Sequence, residues 1–464
     1  MQNNQSTPPQ QKSREDSISL VLTACVISIL LIYLVYTRNF IFGSKSGNWV
    51  YPFLSSAPEF PVWRLSAIIL LLGLLIFLGL KYILVREKIT LFVLLLCGVL
   101  IQFLIRDVYP YALGAIIQSD GANSFYSAAI HYSPDEILSK FIDIAPSFPL
   151  HAKANMPGKI LLFEFYRLFT SSPETMGYLV IVLSSIGALL LYGICKRLFY
   201  DRKTAFYASL LYLLIPGKIF FLPLLNTVTP VLMLLCFYLL VVHLDNKSLW
   251  SAWLLGISGY LLIFFEPSPL ITGFILIGIV LQALREKIFS IKDLYRLIFH
   301  ASLAFLITYF FLYILYGFDI IRVFLYVVKE QQKFMSVYER GYSIWLIENC
   351  KEFFLGAGIP VVIIFIYMVA HIAVQTKSVT QIIQWPLENI LIISILVTYA
   401  VLLMLGINRG EITRLWIYLA VLFQIPAAIF MAKIERGTLL FLLVASLMAI
   451  QAMISLHRVG FVIP

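Results

Sequence analysis

The sequence predicts an all-α polytopic membrane protein, and three observations carry that expectation. Of 464 residues, 61% are hydrophobic and 12% charged, and the mean hydropathy of +0.92 lies far above that of a soluble domain. The apolar residues gather in runs long enough, or nearly so, to cross about 30 Å of hydrocarbon as helix. The basic residues between the runs fall on one side of the membrane if the runs alternate in direction.

The first 17 residues are mostly polar and contain two prolines, so they are expected to form a disordered cytoplasmic tail. Residues 18–464 then form a single integral-membrane domain. Apolar runs at roughly 18–36, 64–82, 89–106, 176–195, 204–216, 228–244, 249–264, 269–284, 297–316, 357–375, 387–406, 412–431 and 437–456 give about thirteen transmembrane helices. The first run has no small-residue cleavage site and is longer than a signal-peptide core, so it is expected to stay as an anchor.

Orientation follows from Lys12 and Arg14; Lys81, Arg86 and Lys88; Lys196, Arg197, Arg202 and Lys203; Lys247; Arg285, Lys287, Lys292 and Arg296; Lys377; and Lys433 and Arg436. These share one side, which the positive-inside rule makes the cytoplasm. A net charge of +10 would suggest nucleic acid in a soluble protein, but here it orients spans, and no nucleic-acid partner is expected. The five cysteines are scattered without a CxxC pair, so no zinc site or disulfide framework is expected.

The same alternation puts residues 37–63, 107–175 and 317–356 outside. The loop 107–175 is too apolar for a linker and contains three helical pieces, in "ANSFYSAAIHY", "PDEILSKFIDIA" and "GKILLFEFYRLF". They are expected to lie along the membrane surface. Asp120, in "QSDGANSFY", reads either as a helix N-cap or as a carboxylate base in a cleft.

In "HAKANMPGK", His151 is either a hydrogen-bonded loop histidine or a site residue. Lys159, at the start of the amphipathic piece, could hold a lipid phosphate or anchor the helix. In "LGINRGEITRLW", Arg409, Glu411 and Arg414 are external against the positive-inside trend. They form either an Arg–Glu pair closing a hairpin or a phosphate site. "FLPLLNTVTP" interrupts a run with prolines around Asn226, so its backbone must line a cavity or be covered by protein.

An Asp just ahead of "FYSAA", then "HAKANMPGKILL", a long apolar remainder and "RGEITRLW" occur in an order that resembles the multi-span glycosyltransferases of the GT-C superfamily. More narrowly, it is similar to the bacterial relatives of protein O-mannosyltransferases and aminoarabinose transferases. The motifs cover about fifty residues of the chain.

The resemblance implies transfer of a sugar from a polyprenyl-phosphate-linked donor to a glycan, lipid or protein acceptor, at the external face of a bacterial inner membrane. Carried over by position, Asp120 would be the base, His151 and Lys159 would flank the donor, and Arg409 and Arg414 would meet its phosphate. Asn155, Asn226 and Glu411 would support them. A loosely held divalent cation shared between Asp120 and the donor phosphate is compatible with this chemistry, without a dedicated metal cluster. The rival classes are a transporter or lipid-linked-sugar flippase, for which a multi-span chain with intramembrane Arg would also serve, and a glycan polymerase or ligase.

Overall fold

The computed structural model describes residues 9–55, 59–337, 339–435 and 437–464. Every apolar run named above falls in helix. Nine helices among the described residues are long and apolar enough to cross a bilayer. The count becomes ten if Tyr342–Ala357 and Ile359–Gln375, which meet at 112°, are taken as one bent span. Leu249–Phe265 and Ile417–Lys433 are apolar but shorter.

The run at 204–216 has a different origin. It forms the helix Arg202–Leu213, whose residues from Thr204 onward are all buried, so its apolarity serves protein packing on every side. Among the described residues, strand is confined to a hairpin of two-residue strands, Gly43–Ser44 against Trp49–Val50, and one bridge between Phe53 and Val459.

The first helix starts at Pro9, so part of the segment expected to be disordered is helical; residues 1–8 lie outside the described residues. The physical reason is helix propagation. A polar stretch joined to a long apolar helix extends an existing nucleus and pays no nucleation cost.

The connections sort into two groups by what they touch. On one side, Lys196 pairs with Glu87 at 2.6 Å, Lys247 with Asp293 at 2.9 Å and Lys433 with Glu388. There Lys203 also donates to the carbonyl of Ala432 at 2.8 Å and Arg285 to that of Trp385 at 2.6 Å. On the other side, Arg64 pairs with Asp107 at 2.7 Å, Trp345 Nε1 donates to Gly47 at 3.1 Å and the Gly460 amide donates to Pro52 at 2.8 Å. Each group joins segments that the charge pattern assigns to one face.

The loop 107–175 folds into short helices with a core of its own. Phe125, Ile137, Phe141, Phe148, Met156, Ile160 and Phe163 pack together and against Phe318, Val323 and Val327, so the amphipathic helix Ile320–Val337 closes over them. Phe165, Leu168 and Phe169 remain 53%, 77% and 70% exposed.

Candidate functional site

The turn that carries His151 is shaped by three local choices. Pro149 precedes the single turn Leu150–Lys153, Pro157 caps the next helix, Gly158–Arg167, and Gly158 permits a close approach. A Cβ on Gly158 would lie 2.6 Å from the carbonyl oxygen of Phe264, so only glycine lets this helix start against the end of Leu249–Phe265. The chain then folds back onto Asp120–His131. The Ala152 amide donates to Ser124 Oγ at 2.7 Å, and His151 Nε2 lies 3.0 Å from the carbonyl oxygen of Gly121. A carbonyl only accepts, so Nε2 carries the proton and the neutral ring keeps Nδ1 as an acceptor.

The "NRGEIT" turn is built by the helix Tyr342–Ala357. Asn349 donates to the carbonyl of Asn408 at 2.9 Å and accepts from the Gly410 amide at 3.2 Å, while Glu352 accepts from the Ile412 amide at 2.7 Å. Gly410 and Glu411 both have positive φ, at 82° and 60°. A Cβ on Gly410 would also lie 2.8 Å from the Trp345 ring. A left-handed glutamate costs on the order of 1 kcal/mol or more, and here it delivers a buried carboxylate to two arginines. Arg340 Nη2 donates to Glu411 Oε1 at 3.0 Å, and Arg414 Nη2 pairs with Oε2.

His151, Glu411 and Arg414 border a cavity of roughly 300 Å³. Its walls come from seven separate stretches: Trp49 to Pro52; Gly121 and Ala122; Leu150 and His151; Phe221 and Leu224; Phe334; Glu411 and Arg414; and Gly460 to Ile463. Each stretch belongs to a connection that the charge pattern assigns to the outside. The interrupted "FLPLLNTVTP" run supplies Phe221 and Leu224, so its irregular backbone does border a cavity.

Two arginines and one glutamate leave one positive charge in excess. Arg414 Nε is buried without an acceptor among the described residues. Burial pushes the Glu411 carboxyl up, but Arg414 and Arg340 together outweigh it and hold the group below the usual carboxylate range. Burial, helped by Arg414, lowers the imidazole of His151 to about 4, so at neutral pH this ring is uncharged.

Of the expected site residues, His151, Glu411 and Arg414 meet at the cavity. Asp120 is exposed at the first position of Asp120–His131, one residue from the cavity-lining Gly121. It is not the helix cap, because Ser119 fills that role by accepting from the Ala122 amide at 3.1 Å. Asn155 braces the turn, donating to the His151 carbonyl at 2.9 Å. Asn226 sits half-buried in the turn Leu225–Thr227, which packs against the helix bearing Arg414.

Two of the expected site residues lie away from this cavity. Lys159 is 1% exposed and forms an ion pair with Glu266 at 2.7 Å, with Thr229 donating to the same carboxylate oxygen, so it faces protein and not the cavity. Burial pulls its ammonium down while Glu266 pulls it back up. Arg409 also lies outside the cavity. It and Arg340 donate to each other's carbonyl oxygens at 2.9 and 2.7 Å, a clasp that uses its guanidinium structurally.

Residues not expected from sequence are Arg340, Trp49, Tyr51 and Phe461. Arg340 stands in "ERGY", an Arg–Gly much like the "NRGE" pair it contacts, and that similarity was the available signal. Among the described residues no three His, Cys, Asp or Glu side chains gather as a metal site. Asp120 therefore offers a cation one carboxylate and no cage.

No model of a known protein family matches the chain, and no curated protein matches it significantly. The resemblance to GT-C enzymes therefore rests on the sequence motifs alone.

Proposed function

We propose that this chain is a GT-C-type glycosyltransferase that moves a sugar from a polyprenyl-phosphate-linked donor to an acceptor at the external membrane face. The observation that carries the reading is the convergence of His151, Glu411 and Arg414 on one cavity, bordered by connections that the charge pattern assigns to the outside. A cavity at the ends of helices suits chemistry at a membrane surface better than passage through its midplane, which favours an enzyme over a transporter.

Transfer is a single displacement. The acceptor hydroxyl attacks the anomeric carbon, the bond from that carbon to the phosphate oxygen breaks, and the phosphate leaves with the electron pair. Asp120 takes the hydroxyl proton. Arg414, with Nε unpartnered, meets the charge growing on the phosphate, and Glu411 and Arg340 hold it in place. His151 takes a different role from the one its motif implies. Its neutral ring adds no charge for a phosphate, but Nδ1 can accept from a sugar hydroxyl. A divalent cation would add electrostatic stabilisation of the phosphate, with Asp120 as its one protein ligand.

The test is mass spectrometry of membrane lipids and surface glycans with and without the gene. Loss of the gene should leave a sugar-loaded polyprenyl phosphate in excess and remove that sugar from an envelope glycan, lipid or protein. Identical lipid and glycan profiles would refute the reading.

A further inference from the structure

A second cleft of roughly 400 Å³ lies beside the first, between the end of Glu87–Arg106 and the start of Pro173–Ser185. Tyr109 stands between the two. It borders this cleft, while its hydroxyl donates to the carbonyl of Val462 at 3.0 Å, in the wall of the other.

Arg106 is 4% exposed. Its Nε donates to the Leu222 carbonyl and its Nη2 to the Tyr111 carbonyl, each at 3.0 Å, which leaves Nη1 without an acceptor among the described residues. No carboxylate lies within ion-pairing distance among the described residues. Across the cleft, Glu174 accepts from the Gly114 amide through Oε2 at 2.5 Å and keeps Oε1 unengaged. The neighbouring Asp107 is already paired with Arg64 at 2.7 Å. A buried cation and a separate carboxylate thus face one space without neutralising each other.

The floor differs from the rim. Phe103 lies three residues before Arg106 and Tyr178 four after Glu174, about 5 Å deeper along their helices at about 1.5 Å per residue. Their rings meet edge to face at 5.4 Å, and Tyr178 is 45% exposed on the outer surface of the helices. A charged rim at the helix ends over an aromatic floor matches an amphiphile at the membrane interface.

We infer that this cleft binds the headgroup of an ammonium-bearing phosphodiester, with Arg106 on the phosphate, Glu174 on the ammonium and the Phe103–Tyr178 pair against the first carbons of a lipid chain. A simple anion would face Glu174 and Asp107, and a simple cation would face Arg106; a zwitterion satisfies both. This site is independent of the proposed transfer reaction.

The test is native mass spectrometry of the purified full-length protein with added phosphatidylethanolamine, phosphatidylglycerol of the same chains, and soluble phosphoethanolamine. Wild type should retain phosphatidylethanolamine over phosphatidylglycerol by about tenfold, the scale of one charge-assisted hydrogen bond. Glu174→Gln, which keeps an oxygen for the Gly114 amide, should bring the two lipids close to parity. Displacement of the lipid by millimolar phosphoethanolamine would identify the headgroup alone as the ligand, and no displacement would identify the bilayer lipid. Equal or better retention of phosphatidylglycerol by wild type overturns the proposal, as does an unchanged preference in Glu174→Gln. The wild-type comparison needs no variant, so it decides the matter even if Glu174→Gln fails to fold.

Discussion

The imidazole of His151 donates to the carbonyl oxygen of Gly121 across 3.0 Å, which ties the "HAKANMPGK" turn to the helix that opens with Asp120. Because Ser119 is the cap, Asp120→Asn leaves the helix start intact. The variant should fold and bind donor but lose transfer by about 100-fold or more, as removal of a general base does. Transfer at the wild-type rate, measured with a lipid-linked sugar, would remove Asp120 from the reaction.

Arg414→Lys keeps the charge but gives up the planar fork of donors. Donor binding should weaken about tenfold or more, the value of one lost charge-assisted contact, with detergent stability near wild type. Loss of folded protein instead would make the Glu411–Arg414 pair a structural closure of the hairpin.

Lys159 tests the opposite case. Breaking a buried pair from one side costs about 3–5 kcal/mol, so Lys159→Met should lower the melting temperature sharply, and combining it with Glu266→Gln should recover much of the loss. Donor affinity of the folded fraction should stay unchanged. A stable Lys159→Met protein that fails to bind donor would return this lysine to the donor site.

His151 sets a pH dependence. Its folded value of about 4 lies below the ordinary value near about 6.5, so the unfolded chain binds more protons between these limits. Stability from this group is full above the ordinary value and falls as pH drops towards the folded one. Acidification from about pH 7 to about pH 5 should therefore lower the melting temperature of wild type more than that of His151→Gln. Equal shifts in the two proteins would contradict a buried neutral ring.

Sidedness can be checked with single cysteines at Asp135 and Lys292, both exposed and neither a helix cap. In intact cells an impermeant thiol reagent should label the first and spare the second. The reverse pattern would put the cavity in the cytoplasm and remove the case for a lipid-carried donor.

Much of the fold was legible because apolar runs of this length have one stable form in lipid. The helix Arg202–Leu213 was harder, since hydropathy does not distinguish a helix surrounded by protein from one surrounded by lipid. The site was legible where a polar residue interrupts an apolar context, as at His151, Glu411 and Arg414. The partner of Lys159 was not legible, because a lysine at a helix start looks the same whether it faces a phosphate or a distant carboxylate such as Glu266. Trp49, Tyr51 and Phe461 carried no local signal at all: aromatic residues are common in this chain, and only tertiary folding brings these three to one wall.

That wall has a consequence for biogenesis. Residues Gly460 to Ile463 follow the helix Thr438–Arg458 and are held by Pro52 and Tyr109, so a nascent chain has Arg414 in the bilayer before the cavity around it exists. The pocket is completed when residues 460–463 dock on Pro52 and Tyr109, after the spans that separate them in the chain have been made. A chain inserted only as far as Arg414 thus holds the charged residues without their enclosure.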